Sequence, residues 1–132
     1  MGDTMKKPLQ RAKRLYEVQH QLFRLEFLKL QTARYAVAQA EKSESDAFAL
    51  FEAGDYPPVP PQLASRIAAS ARKKVQTFND TVKSQVDKTV DQARKESAAK
   101  KRLETEEAEF AKAEAKNELE GAIEAFLARK RT

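Results

Sequence analysis

The sequence predicts an all-α fold: two long helices folded back as an antiparallel coiled-coil hairpin, the second helix the longer, with a proline-rich link between them. Three observations carry this expectation. Three glycines in 132 residues are too few for the turns of a sheet-rich domain. Four of the five prolines fall within residues 57–61, so the strong backbone breakers are gathered in one place. The stretches on either side carry apolar residues at helical spacing.

The first helix is expected from about 9 to 53, a span with neither Gly nor Pro. Leu15, Val18, Leu22 and Leu25 follow a 3-4-3 pattern, and Phe23, Phe27, Leu30 and Val37 start a second, offset stripe. Ala40, Ala47, Phe48 and Phe51 continue it, so the chain around 22–30 is apolar on more than one side. Residues 54–61 form the link. Gly54 suits a position just past a helix end, where a left-handed backbone meets no Cβ clash. The prolines impose extended geometry, and Pro61 fits the first turn of the next helix.

The second helix is expected over about 62–129, with Gly121 as its one interruption. Ile67, Ala71, Val75, Phe78, Val82 and Val86 are spaced 4-4-3-4-4, an eleven-residue period that favours straight or slightly right-handed pairing. Leu103, Phe110, Leu119, Ile123 and Phe126 extend the apolar side more sparsely. At 1.5 Å per residue the helices measure about 65–70 Å and about 105 Å, so roughly twenty C-terminal residues should overhang. Two helices enclose little core, which predicts a thin rod with exposed apolar edges.

The charge pattern supports the fold-back. The net charge is +5, but it is laid down in blocks: +5 over 1–34, −4 over 35–65, +7 over 66–102, −6 over 103–124 and +3 beyond. Folding about position 57 sets Glu41, Glu44, Asp46 and Glu52 opposite Arg66, Arg72, Lys73 and Lys74. It also sets Lys6, Lys7, Arg11, Lys13 and Arg14 opposite Glu104, Glu106, Glu107 and Glu109. Exposed pairs are worth about 0.2–1 kcal/mol each, so they select register more than they stabilise.

Little in the sequence supports chemistry. There is no Cys, which excludes disulfides, thiolate metal sites and a Cys nucleophile. The single His20 lies mid-helix and reads as a surface or seam residue, since a catalytic base needs a nucleophile and a cleft. The acidic run at 104–109 reads as a solvated face rather than a metal site, and no phosphate-binding glycine loop occurs. No enzyme activity, cofactor or metal is expected. No run approaches about 18 uncharged apolar residues. MGDTMKKPLQRAKRLY has no apolar core after its lysines, and Lys6 stands where a myristoylation signal wants Ser or Thr. A cytoplasmic protein is the expectation. The PxxP spacing at 58–61 reads first as a rigid reversal and second as a groove ligand. Phe48, Phe51 and Tyr56 cluster at the tip, as packing or as a contact surface.

Two segments resemble a known family. Lys7-Pro8-Leu9-Gln10-Arg11-Ala12-Lys13-Arg14-Leu15, followed by Val18-Gln19 and Leu22, is similar to the start of the FliJ family of flagellar export proteins, which includes the stalk proteins of virulence-associated type III secretion. Glu114-Ala115-Lys116-Asn117-Glu118-Leu119-Glu120, then Ala122 and Phe126, resembles its closing segment. Glu120 replaces the family's usual Asp, Gly121 follows it, and the proline-rich tip is not a general family feature. The resemblance implies an antiparallel coiled-coil stalk. Its open end enters the ring of a hexameric export ATPase, and it also contacts a membrane export gate, at the cytoplasmic face of the inner membrane. On that basis Arg11, Arg14, Leu15, Leu22, Leu119, Ile123 and Phe126 are the candidates for the ATPase-facing end, and Phe48, Phe51 and Tyr56 for the distal contact. The residues themselves leave two alternatives: a basic binder of nucleic acid or an anionic membrane surface, and a self-associating coiled coil that does not fold back.

Overall fold

The computed structural model describes residues 2–52 and 60–131, with side chains at 6–49, 51–52 and 60–131. It holds two helices, α1 (Gly2–Glu52, 51 residues) and α2 (Pro61–Arg131, 71 residues), and no strand among the described residues. The fold is the helical hairpin that the sequence predicts, with the second helix longer. Residues 53–59, which hold most of the expected link and Tyr56, lie outside the described residues.

The helix ends follow from local chemistry. α1 begins before the expected start near Leu9 and carries Pro8 inside it. So close to the end, Pro8 removes one bond, to the carbonyl of Thr4, and has fewer than two turns of helix upstream to disturb. At the start of α2 the carbonyl of Pro60 accepts from the N–H groups of Leu63 and Ala64, both at 3.0 Å. Pro61 therefore takes the first helical position, where its missing N–H would have had no partner. Arg129, Lys130 and Arg131 close α2 and oppose the negative end of its dipole. Lys130 also lies 5.2 Å from the ring centroid of Phe126, one turn earlier.

The chain divides into two compact units. One spans Phe23–Gln92 and is itself a hairpin. Its inward residues on α1 are Phe23, Glu26, Leu30, Ala33, Val37, Ala40, Glu44, Ala47 and Phe51. Those on α2 are Ala64, Ala68, Ala71, Val75, Val82, Gln85, Thr89 and Gln92. The other unit pairs residues 1–22 with 93–132. There the inward residues are Leu9, Ala12, Tyr16 and Gln19 on α1, and Glu96, Ala99, Leu103, Glu106, Phe110 and Ala113 on α2. The pairing is antiparallel in both. Glu26 meets Gln85 and Thr89, whereas Ala40 shares a groove with Ala71. Likewise His20 meets Glu96, and Leu15 shares a hollow with Arg102.

These inward positions correct two expectations. They fall on one frame of alternating steps of three and four, with the more exposed Phe78 standing between Val75 and Val82, so the period is seven rather than eleven. That is the period of a left-handed coiled coil. The eleven-residue reading took the most apolar residue of each turn. The seam instead takes Ala68 over Ile67 and seats Gln85 beside Val86, because one frame must hold over many turns. For the same reason the Leu15-Val18-Leu22-Leu25 stripe is not the seam. All four are exposed, while Tyr16, Gln19, Phe23 and Glu26 turn inward. The frame that includes Leu9, Ala12, Leu30 and Val37 buries the small and apolar side chains, and the polar residues in step with them go in as well.

Buried polar groups in this seam are satisfied. Gln85 Nε2 donates to the Glu26 carbonyl at 3.1 Å and to the Glu26 carboxylate. Thr89 Oγ1 donates to the carbonyl of Gln85 at 2.7 Å. No buried side-chain N or O atom lacks a partner among the described residues. The bands of opposite charge lie at matched register, but Arg11, Arg14, Lys73, Lys74, Glu104 and Glu107 are exposed. They orient the pairing more than they hold it.

Candidate partner-binding surface

The candidate residues near the two chain ends fall in one unit but form two separate patches. On α1, Leu15, Val18 and Leu22 stand at steps of three and four and are 38, 54 and 41 % exposed. Leu15 lines a shallow hollow with Gln19, Lys95, Ala98, Ala99 and Arg102. Val18 and Leu22 line a second hollow with Glu17 and Gln21. Arg11 and Arg14 are exposed on the same helix, one turn before this stripe. The result is an apolar strip with cations beside it. Lys95 and Arg102 were not among the sequence candidates. The signal that marks them is a seven-residue recurrence beside the seam, legible only once the frame is known.

The second patch is the end of α2. Every described side chain from 114 to 131 is exposed, so this stretch is the expected overhang. Leu119, Ile123 and Phe126 fall on one helical face by their steps of four and three. Extending the seam frame past Ala113 lands on Asn117, Glu120, Glu124 and Leu127. The apolar stripe of the overhang is therefore rotated off the seam. Leu119 lies seventeen residues beyond Arg102, about 25 Å along the helix, so the two patches are not one surface.

The distal candidates divide differently. Phe48 and Phe51 are half-buried and contribute to packing in the Phe23–Gln92 unit. Tyr56 falls outside the described residues.

The titratable groups are held by the seam. His20 stacks on Tyr16 with ring centroids 5.8 Å apart, and its Nδ1 lies 2.9 Å from a Glu96 oxygen. The hydrogen bond from Gln85 holds the Glu26 carboxyl below its ordinary range; Lys29 adds to this and partial desolvation opposes it. No group of three or more His, Cys, Asp or Glu side chains is arranged to hold a metal among the described residues. No helix among them is long and apolar enough to cross a membrane. No protein family, curated relative or solved structure matches this chain.

Proposed function

We propose that this chain is a non-enzymatic coiled-coil stalk or adaptor of a type III, flagellar-type, export apparatus. In this reading it binds a hexameric export ATPase through the Leu15–Leu22 strip and the α2 overhang. It also contacts the membrane export gate, peripherally, at the cytoplasmic face. The observation that carries this reading is the rotation of the Leu119-Ile123-Phe126 stripe off the seam. A stripe off the intramolecular frame is an apolar face presented to something other than the chain's own α1. The exposed Leu15-Val18-Leu22 strip supports the same reading, since the seam draws the half-buried Tyr16 and Gln19 inward in its place. The resemblance of residues 7–22 and 114–126 to the FliJ family supplies the identity of the host.

The test is binding to, and stimulation of, the export ATPase from the same cell. The double variant Leu119→Ala, Phe126→Ala should lose both while keeping its helical circular dichroism. Unchanged binding would remove these residues from the interface. Exposed cations at Lys73, Lys74 and Lys100–Arg102 favour one second reading, a phosphate-rich surface. Tight retention on DNA or anionic vesicles near 50 mM salt, lost as salt rises, would support it over the export role.

A further inference from the structure

We infer that the Leu15–Leu22 strip and the α2 cations beside it form a docking groove for one acidic, amphipathic helix of a partner protein. The inference rests on the reading of that strip as a partner surface, and adds the chemistry of what covers it. Leu15 and Leu22 each stand one position before an inward residue of α1, Tyr16 and Phe23. Lys95 and Arg102 each stand one position before an inward residue of α2, Glu96 and Leu103. In an antiparallel pair, the positions just before the frame flank the seam on the same side from both helices. The hollow of about 310 Å³ that Leu15 shares with Lys95 and Arg102 is the consequence.

The two edges of this groove are unlike. The α1 edge is apolar, formed by Leu15, Val18 and Leu22. The α2 edge is cationic. Lys95 and Arg102 are exposed, and among the described residues neither is in an ion pair within 4 Å. Glu96, next to Lys95 in the chain, is turned to His20 instead. Ala98 and Ala99 lie between the edges and are small enough to let a third backbone come close. Leu15 to Leu22 and Lys95 to Arg102 are each seven residues, about 10.5 Å of helix. A helix laid along the groove therefore meets both edges when its apolar residues recur at threes and fours and two carboxylates stand seven residues apart on its α2 side. Glu17, which lines the hollow beyond Val18, disfavours acids on the opposite side. A phosphate backbone would pair the cations but set Leu15, Val18 and Leu22 against charge. A wholly apolar helix would cover Lys95 and Arg102 without pairing them. The chain's own overhang cannot fold back to the groove, because α2 is unbroken from Pro61 to Arg131.

Fluorescence anisotropy with the full chain and three synthetic helical peptides tests this. One peptide carries leucines at threes and fours with two glutamates seven apart on one flank; the second has lysines for those glutamates; the third keeps the glutamates and has serines for the leucines. The chain should bind the first about tenfold more tightly than the second. Lys95→Glu with Arg102→Glu should reverse that preference, and Leu15→Ser with Leu22→Ser should abolish binding of both. Should the charge-reversed chain lose its helical circular dichroism, Lys95→Gln with Arg102→Gln should remove the preference instead. Equal binding of the first two peptides, a preference that survives either charge variant, binding of the serine peptide as tight as that of the first, or no binding of any peptide at millimolar concentration would each overturn the inference. The same variants separate it from the export reading. An ATPase that needs Leu119 and Phe126 but binds the charge-reversed chain unchanged would overturn the acidic-helix inference and leave the export reading standing. An ATPase that does not bind at all, with the peptide preferences as expected, would do the opposite.

Discussion

The paired and unpaired parts of α2 put their apolar residues on different faces. From 64 to 113 the inward frame carries Ala64, Ala68, Ala71, Val75, Val82, Ala99, Leu103 and Phe110, broken by Gln85, Thr89, Gln92 and Glu96. From 114 onward the same frame meets Asn117, Glu120 and Glu124 before it reaches Leu127, and three large apolar residues, Leu119, Ile123 and Phe126, step one position off it. A helix that merely ran on past its partner would keep its frame or lose its apolar residues. This one keeps Leu127 on the frame and turns the other three off it. The overhang thus carries a largely off-frame apolar stripe that α1 does not cover, whereas the paired part takes polar residues into its frame where they are hydrogen-bonded.

The contrast can be broken at its strongest point by Leu30→Ala. Leu30 is 6 % exposed in the seam, and truncating a buried leucine should cost about 2–4 kcal/mol in urea unfolding. A loss below about 1 kcal/mol would mean that the seam is looser than its burial implies. Next in size is Gln85→Ala. It leaves the Glu26 carbonyl and carboxylate without their donor and should cost about 1–2 kcal/mol. Replacing both partners of the local network, Gln85→Leu with Thr89→Val, should cost less than Gln85→Ala, since nothing is left half-paired.

Acid provides a finer probe. Hydrogen bonding by Gln85 lowers the Glu26 pKa in the folded chain, so the carboxylate stabilises the fold above its unfolded pKa. That stabilisation disappears as pH falls through the lower, folded value. The wild type should therefore exceed Glu26→Gln in thermal midpoint at neutral pH, and the gap should close in the acid range. A gap that stays constant with pH would assign the effect to packing rather than charge. The smallest expected change is on the other side of the comparison. Leu119→Ser and Phe126→Ser should each shift stability by no more than about 0.5 kcal/mol, because both side chains are already in water. A larger loss in dilute solution, vanishing on further dilution, would show that the overhang is covered by another copy.

Much of the hairpin was legible because its signals are local. A proline cluster stops a helix wherever it occurs, and long spans without Gly or Pro propagate one. The overhang was legible too, since unequal helices joined by a short link must end unevenly. The seam was not. Leu15, Val18, Leu22 and Leu25 form a better apolar heptad than Tyr16, Gln19, Phe23 and Glu26, and composition alone chooses the first. Of the candidate surface, Leu119, Ile123 and Phe126 stood out as sparse apolar residues, but their rotation off the frame could not be read before the frame was known. Lys95 and Arg102 were invisible as neighbours of Leu15, because they come from the other helix.

The chain's own letters determined that there are two helices, that the break between them falls near the proline cluster, that they run back along one another, and that no thiol chemistry is available. Those properties depend on backbone geometry, residue type and net sign of charge, all of which act over a few residues. Tertiary structure alone decided which of two competing stripes is buried. A seam is a joint choice: one frame must suit α1 and α2 together over many turns. The winning frame takes small and apolar residues of both helices inward and gives Gln85 a carbonyl and a carboxylate to reach. The leucines it leaves outside are the surface on which the proposed function rests.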